Sequence, residues 1–175
     1  LINFLKNSKT RPLKDVVREN LFNILDHSNF LKVKIKDSNV LDLYAGIGSF
    51  GIECISRGAK KVTFIDQNLE AANILDENLI KLSIKNKSKV HICKIEDFLS
   101  QDVNEKFCMF FFDPPFDDLK FFYNLELIRK KKIFKKNHIV IIHRESKSKN
   151  DFKKILKIME TKQYGRSKII FAEFK

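Results

Sequence analysis

Val40-Leu41-Asp42-Leu43-Tyr44-Ala45-Gly46-Ile47-Gly48-Ser49-Phe50-Gly51 is the stretch on which the fold turns. An apolar run gives way to glycines at 46, 48 and 51, a spacing that lets the backbone turn tightly out of a strand and into a helix. Downstream, short apolar runs keep alternating with helical periods: strand 39–44, helix from about 50, strand 62–66 and helix 69–82. Strands 90–94 and 107–113, a helix around 120–130 and strand 139–143 continue the series. Met109-Phe110-Phe111-Phe112 and Ile139-Val140-Ile141-Ile142 are apolar on both faces, as central parallel strands covered by helices must be. The alternation predicts a doubly wound α/β sandwich.

The two ends differ from this core. Upstream, Val17, Leu21, Ile24 and Leu25 recur at helical spacing behind Pro12 and a capping Asp15, so residues 1–38 read as a basic arm and helix leading into the core. At the other end Phe152, Ile155, Leu156 and Met159 make a helical stripe, which predicts a helix there. Gln163-Tyr164-Gly165-Arg166-Ser167 then reads as a tight turn between two closing strands, the second at 168–174, so that a terminal hairpin adds one antiparallel strand. No internal repeat or Pro/Gly/Ser-rich linker divides the 175 residues, and one domain over 1–175 is expected.

Composition bounds what the chain can do. With 43% hydrophobic residues and 17 Phe it can bury a core of domain size. No apolar run reaches the roughly 18 residues of a membrane span and no leader pattern is visible, so a cytoplasmic protein away from membranes is expected. Cys54, Cys93 and Cys108 are odd in number and far apart, which fits reduced core residues and neither a disulfide framework nor a metal pair. The formal charge of +12 and a pI near 9.6 attract polyanions, nucleic acid first among them.

The glycine turn is where a nucleotide cofactor would lie, and by itself it suits a dinucleotide pyrophosphate as well as S-adenosylmethionine. Asp42 favours the second: a carboxylate four residues before Gly46 repels pyrophosphate but holds the cationic ammonium of a methionine moiety. Asp66, closing the next strand, offers two oxygens to ribose hydroxyls, a role common to both cofactors. Ala45, Gly46, Gly48, Gly51 and Gln67 complete the candidate cofactor loop, and the Ile95 amide, beside Glu96 and Asp97, is a candidate reader of the adenine edge. Those two acids equally suit the first turn of a helix.

Asp113-Pro114-Pro115-Phe116 ends the fourth strand. Successive prolines make a stiff turn without N–H donors and leave carbonyl oxygens as acceptors, so the substrate must bring the donors. An exocyclic amino group of guanine or adenine has two N–H bonds and a lone pair delocalised into its ring. Hydrogen bonds to Asp113 and a proline carbonyl would localise that lone pair and aim it at a sulfonium methyl, while Phe116 offers a face for the extruded base. No metal is called for.

With these residues assembled, the chain resembles the bacterial RsmD-type small-subunit ribosomal RNA guanine-N2 methyltransferases over roughly residues 10–175. Thr10-Arg11-Pro12 with Asp15, Arg18-Glu19 and Leu21-Phe22-Asn23 is similar to the family's opening signature. Gly46 to Glu53 with Ser56-Arg57-Gly58-Ala59 is similar to its cofactor loop and first helix, Phe112 to Phe116 to its catalytic strand end, and Tyr164-Gly165 to its closing hairpin. The resemblance implies a Rossmann-like, mostly parallel seven-stranded fold, S-adenosylmethionine as donor and guanine N2 of 16S ribosomal RNA as acceptor. It further implies Arg11 near the RNA or target base, Arg18 and Glu19 fixing the arm to the catalytic domain, and a monomer acting on ribosomal RNA or the assembling small subunit. Lys94 departs from the Asp or Asn common beside the adenine.

Three alternatives stand beside this reading: adenine-N6 methylation of DNA or RNA, an RNA-binding relative without catalysis, and, remotely, an NAD-dependent oxidoreductase. His27, His91, His138 and His143 have no metal spacing, and His143 reads as a structural or surface histidine despite its place at a strand end. Arg129-Lys130-Lys131-Lys132 with Lys135-Lys136 suits phosphate or a helix C-terminus equally, and Lys6, Lys9, Arg11, Lys14 and Arg18 form the better basic patch.

Overall fold

The computed structural model describes residues 15–115, 117–118, 120–149 and 151–175. Along them run α1 (Asp15–His27), β1 (Asn39–Leu43), α2 (Ser49–Ser56), β2 (Lys61–Asp66), α3 (Leu69–Lys81) and β3 (Ser88–Ile92). After these come α4 (Ile95–Ser100), β4 (Phe107–Phe112), α5 (Lys120–Lys131), β5 (Phe134–Glu145), β6 (Leu156–Tyr164) and β7 (Ser167–Phe174). One seven-stranded sheet has the order β3-β2-β1-β4-β5-β7-β6. Strands β1 to β5 pair in parallel, and β7 lies antiparallel between β5 and β6. The α/β sandwich with its antiparallel closing strand is therefore as expected.

Side-chain alternation divides the core in two. Val40, Phe64, Phe111 and Ile141 pack on one face of the sheet with Leu21, Phe22, Phe50 and Leu75 of α1, α2 and α3. Leu41, Leu43, Phe110, Phe112 and Ile142 pack on the other with Phe98, Phe121 and Leu125 of α4 and α5. Strand order reverses between β1 and β4, because the chain steps from β1 to β2 and β3 on one side and returns to β4 on the other. In open α/β sheets a ligand crevice forms outside the carboxyl ends of the strands at such a reversal.

The stripe at Phe152, Ile155, Leu156 and Met159 does not become a helix. Only one turn survives, with the Ile155 and Leu156 amides donating to the Phe152 carbonyl at 2.9 and 2.8 Å, after which β6 begins. Leu156 joins the α4/α5 face while Met159 packs against the α1–α3 face, the opposite sides a strand gives to residues three apart. Pairing with β7 from Leu156↔Phe174 to Tyr164↔Ser167 satisfies the backbone, and long-range pairing overrides the local period. A register slip between Ile158 and Glu160 marks the adjustment.

Candidate active site

A cleft of about 1140 Å³ opens at the reversal, lined by the ends of β1, β2 and β4 and the loops that follow them. The parallel register builds its polar floor. Asp42 pairs with Phe64 of β2 and Phe111 of β4, and Phe111 pairs with Ile141 of β5. Two residues further along each neighbour stand Asp66, Asp113 and His143, which alternation turns to the same face as Asp42. Three carboxylates from separate strands thus converge with one imidazole, and all four residues line the cleft.

Asp42 is buried, and its Oδ2 accepts from the Gly51 amide at 3.0 Å, so the first task of this carboxylate is to fasten α2 to β1. Burial drives its carboxyl well above the usual carboxylate range; the Gly51 amide pulls the other way, and the Asp113 and Asp66 charges push it up further. Asp66 accepts from the Gly46 amide through Oδ2 at 2.7 Å and from the Asn68 amide through Oδ1 at 2.8 Å. Each oxygen keeps a second lone pair for a ligand hydroxyl.

The three glycines divide into two roles. Gly46 has φ +54 and nothing within 4 Å of where a Cβ would stand, so its backbone is open to the cleft beside Ala45, Ile47 and Ser49. At Gly48 an added Cβ would lie 2.3 Å from Leu75 Cδ1, and at Gly51 it would lie 2.3 Å from Phe64 Cε1. Both are close-packing positions that seat α2 on β2 and α3. Gln67 is exposed on the rim, and Ile95 opens α4 with its amide in the first turn, where no intrahelical acceptor exists.

Around Asp113 the structure adds partners that sequence reasoning missed. Asp113 Oδ1 lies 2.7 Å from His143 Nδ1, with side-chain exposures of 26% and 9%. His143 is therefore neither a surface residue nor remote from the site. The next residue, Arg144, is buried with its guanidinium 4.6 Å over the Phe121 ring, and its Nη1 donates to the Pro115 carbonyl at 3.1 Å. The Asp118 amide donates to the same carbonyl at 3.0 Å. Two donors thus already engage the Pro115 carbonyl, and Pro114 lines the cleft beside it. Phe116 lies outside the described residues.

Tyr44, next to the glycine turn, adopts φ +62, a left-handed conformation that costs a side-chain-bearing residue about 1–2 kcal/mol. Its hydroxyl accepts from Asn124 Nδ2 at 3.2 Å, which ties the turn to α5, and burial pushes its phenol pKa upward. Only the positive φ at a non-glycine position points to it, and φ is invisible in sequence. Cys93, expected in the core, is half-buried and lines the cleft instead, while Cys54 and Cys108 are buried as expected.

α1 reaches the site through an aromatic stack: Phe22 and Phe50 have centroids 5.4 Å apart, and Phe50 lies 4.0 Å from Phe111. One turn before Phe22, Arg18 lines the cleft. Phe22 packing and the ion pair of Asp26 with Arg57 fasten the helix, which leaves Glu19 exposed. The closing turn brings Tyr164 and Arg166 to the cleft as well. Thr10, Arg11 and Pro12 lie outside the described residues. In the other basic run, Arg129 is paired with Glu126 at 2.7 Å. No group of three or more His, Cys, Asp or Glu side chains able to hold a metal occurs among the described residues. Nor, among them, is any helix long and apolar enough to cross a membrane.

The family described as Conserved hypothetical protein 95 matches residues 1–173. Ribosomal RNA small subunit methyltransferase D of Buchnera aphidicola subsp. Baizongia pistaciae is 32% identical over 146 residues, 83% of this chain and 70% of that protein. The protein of the same name from Haemophilus influenzae is 40% identical over 115 residues, 64% of this chain and 56% of its own. Among solved structures, yhhF of Escherichia coli, described as a proposed methyltransferase, superposes with a TM-score of 0.81 at 25% identity, covering 94% of this chain and 87% of that one.

Proposed function

We propose that this chain, which belongs to the family described as Conserved hypothetical protein 95 together with the ribosomal RNA small subunit methyltransferases D, methylates the exocyclic N2 of a guanine in 16S ribosomal RNA. The observation that carries this is the meeting of Asp113 and its rigid proline turn with the Asp42–Gly46 cofactor loop in one cleft. S-adenosylmethionine suits the residues present. Three carboxylates favour a ligand with ammonium and sulfonium charges, the space before Gly46 admits a ligand against bare backbone, and Asp66 and the Ile95 amide offer ribose and adenine contacts.

When bound, S-adenosylmethionine supplies an electrophilic methyl group. The chain's own part is to bind and aim the amine. Asp113 accepts one N–H of the guanine amino group and the Pro114 carbonyl the other, which localises the nitrogen lone pair and stabilises the positive charge that grows on it. Phe116 stacks on the extruded base, contributing about 1–3 kcal/mol, and Arg11 meets the RNA. Arg18 and Arg166, both lining the cleft, draw the phosphate backbone toward it. The reading takes residues 1–175 as one catalytic unit, a cytoplasmic monomer acting without metal on ribosomal RNA or the assembling subunit.

The test is incubation with labelled S-adenosylmethionine and small ribosomal subunits or their RNA, followed by mass analysis of the nucleosides. N2-methylguanosine is the expected product. N6-methyladenosine would transfer the chemistry to the other amino group, and salt-sensitive RNA binding without any label would leave only a binding protein.

A further inference from the structure

Consecutive residues of β5 hold the two ends of the Asp113-Pro114-Pro115 turn from opposite faces of the sheet. His143 lies on the α1–α3 face with Nδ1 2.7 Å from Asp113 Oδ1. Arg144 lies on the α5 face, packed over Phe121, with Nη1 3.1 Å from the Pro115 carbonyl. The arrangement follows from register: Phe112 pairs with Ile142, so the next residue of each strand, Asp113 and His143, emerge side by side. A carboxylate at a strand end otherwise rotates about χ2, which is a broad torsion, and either oxygen can face the ligand.

We propose that His143 is the positioning residue for Asp113, donating its Nδ1–H to Oδ1 so that Oδ2 is presented to the substrate amine. The inference rests on the methyltransferase reading given above. It adds the means by which the acceptor is held in one orientation before the amine arrives. As the new nitrogen–carbon bond forms and the methyl's bond to sulfur breaks, sulfur keeps that bond's electron pair. The nitrogen then carries the positive charge, and one of its protons passes to Oδ2 of Asp113, whose Oδ1 stays occupied by the imidazole. An acceptor free to rotate would divide its time between productive and unproductive orientations, which lowers the rate of the bound complex and leaves cofactor affinity unchanged.

Variants at position 143 and the state of the His143 ring nitrogen test this. His143→Phe and His143→Leu remove the donor, whereas His143→Asn places an amide N–H close to where Nδ1 stood. The expected result is S-adenosylmethionine affinity and RNA KM like those of the unaltered protein in all three, kcat down about 10- to 100-fold in Phe and Leu, and recovery of most of that loss in Asn. In ligand-free protein with nitrogen-labelled histidine, the His143 Nδ1 resonance should be that of a protonated nitrogen and should change in Asp113→Ala. A kcat within twofold of normal in the apolar variants, an Asn variant no better than they are, loss of cofactor binding in both apolar variants, or an unprotonated Nδ1 would overturn the proposal. Normal turnover in Asp113→Ala would instead remove the catalytic reading beneath it.

Discussion

The Gly46 amide donates to Asp66 Oδ2 at 2.7 Å, so the end of β2 holds the loop that leaves β1. The same carboxylate takes the Asn68 amide at 2.8 Å, and Asn68 in turn caps α3 by accepting from the Ala71 amide at 3.0 Å. One side chain therefore shapes the glycine turn after β1 and the start of the next helix while lining the cleft.

Asp66→Ala should lower both stability and cofactor affinity, because it strips two backbone donors of their acceptor. The expected costs are about 1–3 kcal/mol in unfolding free energy and a weakening of S-adenosylmethionine binding by roughly 10- to 100-fold. Denaturant melts and calorimetric titration read them separately. Normal affinity in a folded variant would show that the carboxylate serves the loop alone.

Asp42→Asn should separate binding from stability. Burial holds the Asp42 carboxyl well above its ordinary value, so the folded state resists an ionisation that the unfolded chain undergoes freely near pH 4. Stability is thus full below that pH and falls as pH rises from there toward the folded-state value. Asparagine keeps an oxygen for the Gly51 amide and removes the charge. At pH 7–8 the ligand-free variant should melt above the original protein, the gain should vanish below about pH 4, and S-adenosylmethionine should bind about 10- to 100-fold more weakly. A lower melting temperature at neutral pH would contradict the assignment.

Alanine at Gly51 and at Gly46 should fail in different ways. A methyl group at Gly51 would stand 2.3 Å from Phe64 Cε1 and 2.7 Å from Val62 Cγ1, inside the seam between α2 and β2. Overpacking there should cost about 1–3 kcal/mol, or roughly 2–4 °C of melting temperature per kcal/mol in a chain of this size. Gly46→Ala meets open space, so its cost is the left-handed φ of +54, about 1–2 kcal/mol, together with weaker cofactor binding as the methyl enters the cleft. Equal effects of both substitutions on S-adenosylmethionine binding would erase the distinction between packing and cradle glycines.

Asp113→Ala should lower turnover by about two to three orders of magnitude while cofactor binding persists, as expected for loss of one preorganised polar group. Single-turnover transfer on small subunits, with titration of S-adenosylmethionine alongside, checks both halves. Turnover near normal would exclude the acceptor role.

Much of the site was legible along the chain because its signals are local. Glycine spacing behind Asp42, an acid at the end of β2 and the Asp113-Pro114-Pro115 turn each declare themselves within a few residues, since strand, turn and helix periods are set by near neighbours. Sequence alone therefore determined the alternating α/β core and marked the glycine turn after β1 and the Asp113-Pro114-Pro115 turn as the candidate site. Tertiary structure decided what depends on partners far apart: β6 became a strand through its ladder with β7, and Gly48 and Gly51 proved to be packing positions against Leu75 and Phe64. His143 and Arg144 are bonded to a turn about thirty residues earlier in the chain. Register between parallel strands brings such residues together, and register comes from burial of whole faces, which no short spacing encodes.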